Sequence, residues 1–431
     1  MEFVKNFSEQ INETLYSGVH KSGLRVCVMP KKNYSKTYAV FGTHFGSIDS
    51  RFTVSGESGL TVLPDGVAHF LEHKLFEQPD DSNVFAEYAK YGANANAFTS
   101  FNMTAYLFEC TEYPEKNLEI LLDFVTKPHF TDENVAKEQG IIGQEIKMYD
   151  DEPDWRCMIN FLNSMYVEHP VKNDIAGSVE SIAKIDKELL YKCYRNFYNL
   201  ANMVLFVIGD ISPEQVGDCV DKTICNYEIL EKLPERDYGN EPISVVRNEI
   251  KQSMDVSVPS FMFGYKDTDT GYDGIDLLKK GIEYSVINEI AFGKSSYIYN
   301  TLYNQGLIMG FLDYECECEK GYGFTALSAE SNNPEGAKRV ILEGVKKLKQ
   351  EGIKEEDFTR LKRAFFGRFV KQFDNINSVA HGFLANLFNN IDIFDYIKAI
   401  NEVTLEDINK RLNNSFKEEL SVLSVIEPFK S

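Results

Sequence analysis

The sequence predicts two tandem copies of one α+β sandwich domain, each about half of the 431-residue chain. Three observations carry that prediction. A helix-strand segment recurs at a constant offset, strand-like alternation is interspersed with helical spacing, and no regular β-α-β alternation or G-x-G-x-x-G turn is present.

The repeat pairs "SIAKIDKELLYKCYRNFYNLANMVLFVIGD" with "AINEVTLEDINKRLNNSFKEELSVLSVIEP". Aligning Ile185 with Val403 gives an offset of 403 − 185 = 218. At that offset Ile182 meets Ile400, and Val204, Leu205, Val207 and Ile208 meet Val422, Leu423, Val425 and Ile426. Identical residues at equal separations across a helix and a strand mark an internal duplication. Two copies are too few for a solenoid, so each must close its own core. The predicted domains are 1–228 and 247–431, joined by a linker over 229–246 in the charged, proline-containing stretch "NYEILEKLPERDYGNEPISVVR".

Within the first copy, "LRVCVMP" and "KTYAVFGTHFG" alternate as half-buried strands, and "NAFTSFNMTAYLFEC" does so over a longer span. "MVLFVI" from Met203 reads as a buried strand. "EKNLEILLDFV" and "DENVAKEQGIIGQEIKMY" space apolar residues at three and four, as amphipathic helices do.

Asp plus Glu outnumber Lys plus Arg by 66 to 45, a net charge of −21, so like-charge repulsion opposes nucleic acids and anionic membranes as partners. A composition 43% hydrophobic can build full cores. The amino terminus lacks a basic start followed by an apolar block, so no signal peptide is expected. No apolar run approaches the roughly 18 residues needed to span a bilayer. Of eight cysteines only Cys316 and Cys318 lie close together, which predicts free thiols in a reducing compartment. The expectation is an acidic, soluble, cytoplasmic protein.

The chemistry concentrates in "GVAHFLEHKLFE", where His69, Glu72 and His73 fall within five residues. Positions i and i+4 share a helix face, so both imidazoles can reach one zinc ion. Glu72 can face the same open position, take a proton from a water there and pass it to a leaving amine. Paired histidines at that spacing also occur as plain surface or core residues. A downstream helix adds weight: Glu138 and Glu145 are seven apart, two turns along one face. One can be the third ligand and the other its supporting carboxylate.

H-x-x-E-H is the inverted zinc motif, and the chain resembles the insulinase and pitrilysin family of zinc metallopeptidases, most of all its two-domain bacterial YmfH-like members, which are related to mitochondrial processing peptidase. In that family the third ligand is a Glu some seventy residues after the second His, with a supporting Glu seven residues before it. Here 145 − 73 − 1 = 71 residues separate Glu145 from His73, and Glu138 fills the supporting place. The resemblance implies one zinc per chain on His69, His73 and Glu145, with Glu72 as the general base. It also implies a largely antiparallel sheet with helices packed on it in each domain, together forming half of a clam-shaped chamber. "YGANANAFTSFNMTAYLF" resembles the family's substrate-binding edge strand, which places Asn96, Ala97, Phe98 and Thr99 against an extended peptide.

The second copy lacks these residues. At the 218 offset His69, Glu72 and His73 fall near Ile287, Ile290 and Ala291, and Gly143 aligned on Gly367 sets Phe369 opposite Glu145. It is expected to be a structural partner to the zinc-bearing domain. One departure from the family stands out. Where many members carry an Arg and, six residues on, a Tyr that reach the substrate carbonyl, this chain has Tyr303 and Met309. Either this is divergence that leaves activity intact, or a hetero- or homodimer forms in which a related subunit supplies the Arg-Tyr pair. The remaining histidines, His20, His44, His129, His169 and His381, read as structural or solvent-exposed, and Trp155 as a packing residue.

The leading function is a zinc endopeptidase that cuts short, unfolded peptides in a closed chamber. The rival is a non-catalytic or partner-dependent structural subunit of a processing complex, against which the intact H-x-x-E-H and both glutamates argue. A processing enzyme dedicated to one genetically linked peptide would use the same chemistry.

Overall fold

The computed structural model describes residues 1–79, 83–230 and 232–429. The first half of the sequence supplies strands β1 (Val4–Ser8), β2 (Glu13–Val19), β3 (Arg25–Pro30), β4 (Thr37–Thr43), β5 (Arg51–Thr53), β6 (Thr61–Val62), β7 (Ala93–Thr99), β8 (Thr104–Cys110) and β9 (Met203–Gly209). Seven of them form one sheet in the order β1-β2-β3-β9-β4-β8-β7. Its centre is the fully buried apolar run of β9, paired parallel to β3 and antiparallel to β4. The other pairs are antiparallel, and β7 is an edge strand hydrogen-bonded only to β8.

The long alternating span "NAFTSFNMTAYLFEC" is a hairpin rather than one strand. The amide of Ser100 donates to the Met103 carbonyl at 2.8 Å and closes the turn. The loop before it holds that turn in place, because the amides of Ser47 and Ile48 donate to the carbonyls of Ser100 and Phe101. A side chain at Gly46 would meet the Phe101 carbonyl oxygen at 2.2 Å, so this approach needs glycine.

The second half adds β10 (Glu235–Arg236), β11 (Glu249–Met254), β12 (Ser260–Lys266), β13 (Met309–Cys318), β14 (Gly323–Glu330) and β15 (Ser421–Pro428). Strand β10 completes a small sheet with β5 and β6, and the others form a sheet in the order β11-β15-β12-β14-β13. That order repeats β3-β9-β4-β8-β7. Like β9, β15 pairs parallel on one side and antiparallel on the other. The helices before β9 and β15 begin at N-caps Asp186 and Thr404, which are 404 − 186 = 218 residues apart. The chain is thus two tandem homologous α/β sandwiches with largely antiparallel sheets.

Two compact units result, neither continuous in sequence. The first comprises Met1–Ile146, Asp174–Asp237 and Val370–Phe388; the second comprises Lys147–Asn173, Tyr238–Phe369 and Asn389–Ser431. The helix Ile376–Phe388 therefore belongs to the first unit, where Phe383 stacks on Phe206 of β9 at 4.2 Å. It also bonds Tyr38 of β4 through His381 at 2.8 Å. Conversely, the helix Pro153–Met165 belongs to the second unit. There Cys157 packs with Met254 and Ile426, and Asn160 bonds Gln252 at 2.7 Å. Each sheet is covered on one face by a helix from the other half of the sequence.

Candidate active site

The site lies within the first unit, on helices α1 (Val67–Leu75) and, following α2 (Val84–Lys90) and α3 (Pro114–Thr126), α4 (Asp132–Asp150). Helix α1 starts at Gly66, whose φ of 92° is left-handed and whose missing side chain leaves room for the Ala176 carbonyl. Val67, Phe70, Leu71 and Leu75 are buried, so the polar residues between them are carried into the interior with the helix. His69 and Glu72 are buried, while His73 is partly open.

One turn of helix sets the His69 and His73 rings 4.6 Å apart and edge to face. Two turns of α4 place Glu138, which is buried, and Glu145, which is partly exposed, against them. The Glu145 carboxylate lies 3.7 Å from His69 Nε2 and 3.6 Å from His73 Nε2. These separations are too long for hydrogen bonds. They are close to the edge of a tetrahedron about zinc, roughly 3.3–3.4 Å for bonds of about 2.0–2.1 Å. All three donor atoms lie within 4.8 Å of one another, and among the described residues this is the one such group of His, Cys, Asp or Glu. Glu138 Oε1 sits 3.0 Å from His73 Nδ1, which turns the other ring nitrogen toward Glu145. The donor set therefore fits zinc.

Electrostatics distinguish the two histidines. Burial, with the neighbouring His73 charge, lowers the His69 pKa to about 3, so its ring is neutral and available as a ligand. Burial also lowers His73, but the Glu138 hydrogen bond and the charges of Glu72, Glu138 and Glu145 outweigh it and raise the ring's pKa. Burial raises Glu72, partly offset by a hydrogen bond from Thr99 and by His73.

The four residues expected along the edge strand divide between two faces. Alternation turns Ala97 and Thr99 toward α1, where Thr99 Oγ1 donates to Glu72 Oε2 at 2.6 Å. Phe98 points the opposite way and stacks on His381 at 5.1 Å. Asn96 Oδ1 accepts the Ala97 amide at 2.9 Å.

The other histidines take varied places. His20 bonds Ser22, His44 stacks on Phe388, and His169 is buried among Tyr166, Tyr238 and Tyr322. His129 lines a cleft beside His73 and Glu138, floored by the stacked rings of Phe76 and Phe85. Trp155 is half-buried against Tyr149.

Sequence reasoning passed over Lys74. Fully buried, it bonds Glu77 at 2.5 Å and the Asn134 carbonyl, and it sits 3.9 Å from Glu138 Oε2. A lysine inside an otherwise apolar helix face was the available signal, since such a charge is buried only with partners. In the second unit, Ile287 and Ala291 are buried core residues and Phe369 stacks on Tyr396. Tyr303 and Met309 are exposed, at the end of the helix Tyr297–Asn304 and the start of β13.

Residues 63–179 match the model of the insulinase family (peptidase family M16), and residues 184–365 match the peptidase M16 inactive domain. The chain is 41% identical to the "Uncharacterized zinc protease YmfH" of Bacillus subtilis (strain 168) over 96% of its own length and 95% of the other's. This chain belongs to the insulinase family of peptidases. Among solved members, an "M16-like peptidase" of Alicyclobacillus acidocaldarius superposes with a TM-score of 0.91 at 32% identity, covering 99% of each chain. The fold also matches pitrilysin, with a TM-score of 0.76 at 14% identity, where this chain covers 47% of the longer protein. This insulinase-family chain thus corresponds in length to one half of pitrilysin. Its relatives are named zinc proteases, which supports a metallopeptidase with zinc as the implied metal. Among the described residues no helix is long and apolar enough to cross a membrane.

Proposed function

We propose that this chain is a zinc-dependent endopeptidase acting on short, unfolded peptides, with Glu72 as general base. The observation that supports it most is the convergence of His69, His73 and Glu145 beside a buried Glu72. His69, His73 and Glu145 would hold the metal, and Glu138 fixes the His73 ring. Zinc bound there supplies a Lewis acid that acidifies water and polarises a carbonyl. Glu72 accepts the proton of the attacking water and returns it to the leaving amine. Among the described residues the cysteines form no disulfide, the state that a reducing compartment such as the cytoplasm maintains.

One zinc per chain is expected, measured by metal analysis after dialysis and reloading. Replacing His69 and His73 together with Ala should remove it, and an unchanged stoichiometry would reject the ligand set. Glu138→Gln should weaken zinc retention about 10–100-fold, because His73 loses its orienting acceptor.

The peptide is expected to lie as an added strand on the free edge of β7, along Asn96–Thr99. Main-chain bonds would give affinity with little side-chain selectivity. The Ala97 amide is held by Asn96 Oδ1 and must be released to substrate. Ala97→Pro removes that donor and should raise KM for many peptides together. A rise confined to one peptide sequence would point to side-chain recognition instead.

The chain's half-length relation to pitrilysin, with Tyr303 and Met309 at the family's Arg and Tyr positions, supports a dimeric enzyme. In that reading a related subunit completes the chamber and its substrate contacts.

A further inference from the structure

The catalytic carboxylate needs a fixed direction, and the sequence around it does not supply one. A glutamate has three side-chain torsions, and Glu72 lies beside a partly open site. Among the described residues, its one hydrogen-bonding side chain is Thr99, on the neighbouring edge strand. We propose that Thr99 is the positioning residue for Glu72, holding Oε2 so that Oε1 is presented to the reacting water. This rests on the reading of Glu72 as general base.

Four observations support it. The 2.6 Å separation falls in the range of about 2.5–2.7 Å for a hydroxyl donating to an ionised carboxylate, so the contact is of the stronger class. Strand alternation turns Thr99 toward α1, away from the face where Phe98 meets His381. Ala95 and Ala97 precede Thr99 on that face, and their small side chains leave room for α1 to approach. Finally, Thr99 is itself braced.

The brace comes from Thr104, directly opposite Thr99 in the β7-β8 register. Its hydroxyl is completely buried and donates to the Phe45 carbonyl at 2.9 Å. The Thr104 hydroxyl oxygen stands 3.3 Å from Thr99 Oγ1. Having given its only proton to Phe45, Thr104 can meet Thr99 only as an acceptor. At 3.3 Å it is a weaker acceptor than the Glu72 carboxylate at 2.6 Å, which takes the Thr99 proton. The β-branched side chain, with few χ1 choices, keeps that aim.

The test uses Thr99→Val, which keeps shape and strand preference but loses the hydroxyl, and Thr99→Ser, which keeps the hydroxyl. Kinetics are measured on the full chain, with its partner subunit if one is required. Thr99→Val should lower kcat by up to about 10²-fold, the scale of a misplaced catalytic group, with KM and zinc content unchanged. Thr99→Ser should restore most of the turnover. Independently of activity, crystal structures of both metal-free variants should show the Glu72 carboxylate displaced in Thr99→Val and in place in Thr99→Ser. Normal kcat in Thr99→Val, equal losses in both variants, or an unmoved Glu72 would overturn the proposal. Glu72→Gln run in parallel separates the two readings. If it is inactive while Thr99→Val is normal, only the role of Thr99 falls; if it turns over normally, the general-base reading itself falls.

Discussion

Glu72→Gln is expected to abolish peptide hydrolysis while zinc stays bound. The amide matches the carboxylate in shape and can still accept from Thr99, so the packing of α1 over Thr99 survives. What it loses is the capacity to accept a proton, and neither of the other two carboxylates at the site is free for the task. Glu138 is committed to His73, and Glu145 is placed among the metal donors. General acid–base catalysis contributes about 10²–10⁴-fold, and in the proposed mechanism Glu72 serves both proton transfers, so the loss should reach the upper part of that range. Metal analysis and peptide assays on one preparation check both halves. Near-normal turnover would remove Glu72 from the mechanism, and loss of zinc would make it a structural residue.

Peptide cleavage by the isolated chain is expected to be slow and to rise about 10²–10³-fold when a related subunit carrying the Arg-Tyr pair is added. Attack on a carbonyl builds negative charge on its oxygen, and one missing preorganised donor costs on that order. Met309 offers only a weak acceptor, and Tyr303 carries no cation, with its ring stacked on Tyr299 at 6.2 Å. Neither replaces an Arg. The competing arrangement is a self-sufficient homodimer in which Tyr303 or a neighbouring tyrosine donates to the oxygen. Mixing this chain with a paralogue that has the Arg-Tyr pair but no H-x-x-E-H distinguishes the two. Full activity alone, with no gain on mixing, would falsify the two-subunit site.

The sequence exposed proximity better than direction. Short local spacings, His69 to His73 and Glu138 to Glu145, fix helix faces, so the meeting of their side chains could be anticipated. The duplication was legible because apolar strand residues such as Val204 and Val422 sit under the same packing constraint in both sheets. The hairpin at Ser100–Met103 was not, since apolar alternation continues on both sides and no Asn-Gly or Asp-Gly pair marks the turn. The aim of Thr99 was missed for a related reason. Grouping Asn96 to Thr99 as one substrate surface ignored the period of two that puts Phe98 and Thr99 on opposite faces. Nor could periodicity say which sheet the helices Pro153–Met165 and Ile376–Phe388 would cover. An apolar stripe specifies that a face is buried, not its partner.

That last arrangement has a consequence for how the protein is made. When Asp237 leaves the ribosome, the first sheet is complete in strands, but Tyr38, Gly42 and Phe206 still await the helix that begins at Ile376. The intervening 376 − 237 = 139 residues take roughly 7–28 s to translate at about 5–20 residues per second. Throughout that interval the half that carries His69, His73 and Glu145 has an uncovered apolar face, and its edge strand lacks the support of His381 under Phe98. The first unit is therefore completed only near the end of synthesis. On the proposed function, an unfinished chain does not yet present a complete peptidase to the other nascent polypeptides around it.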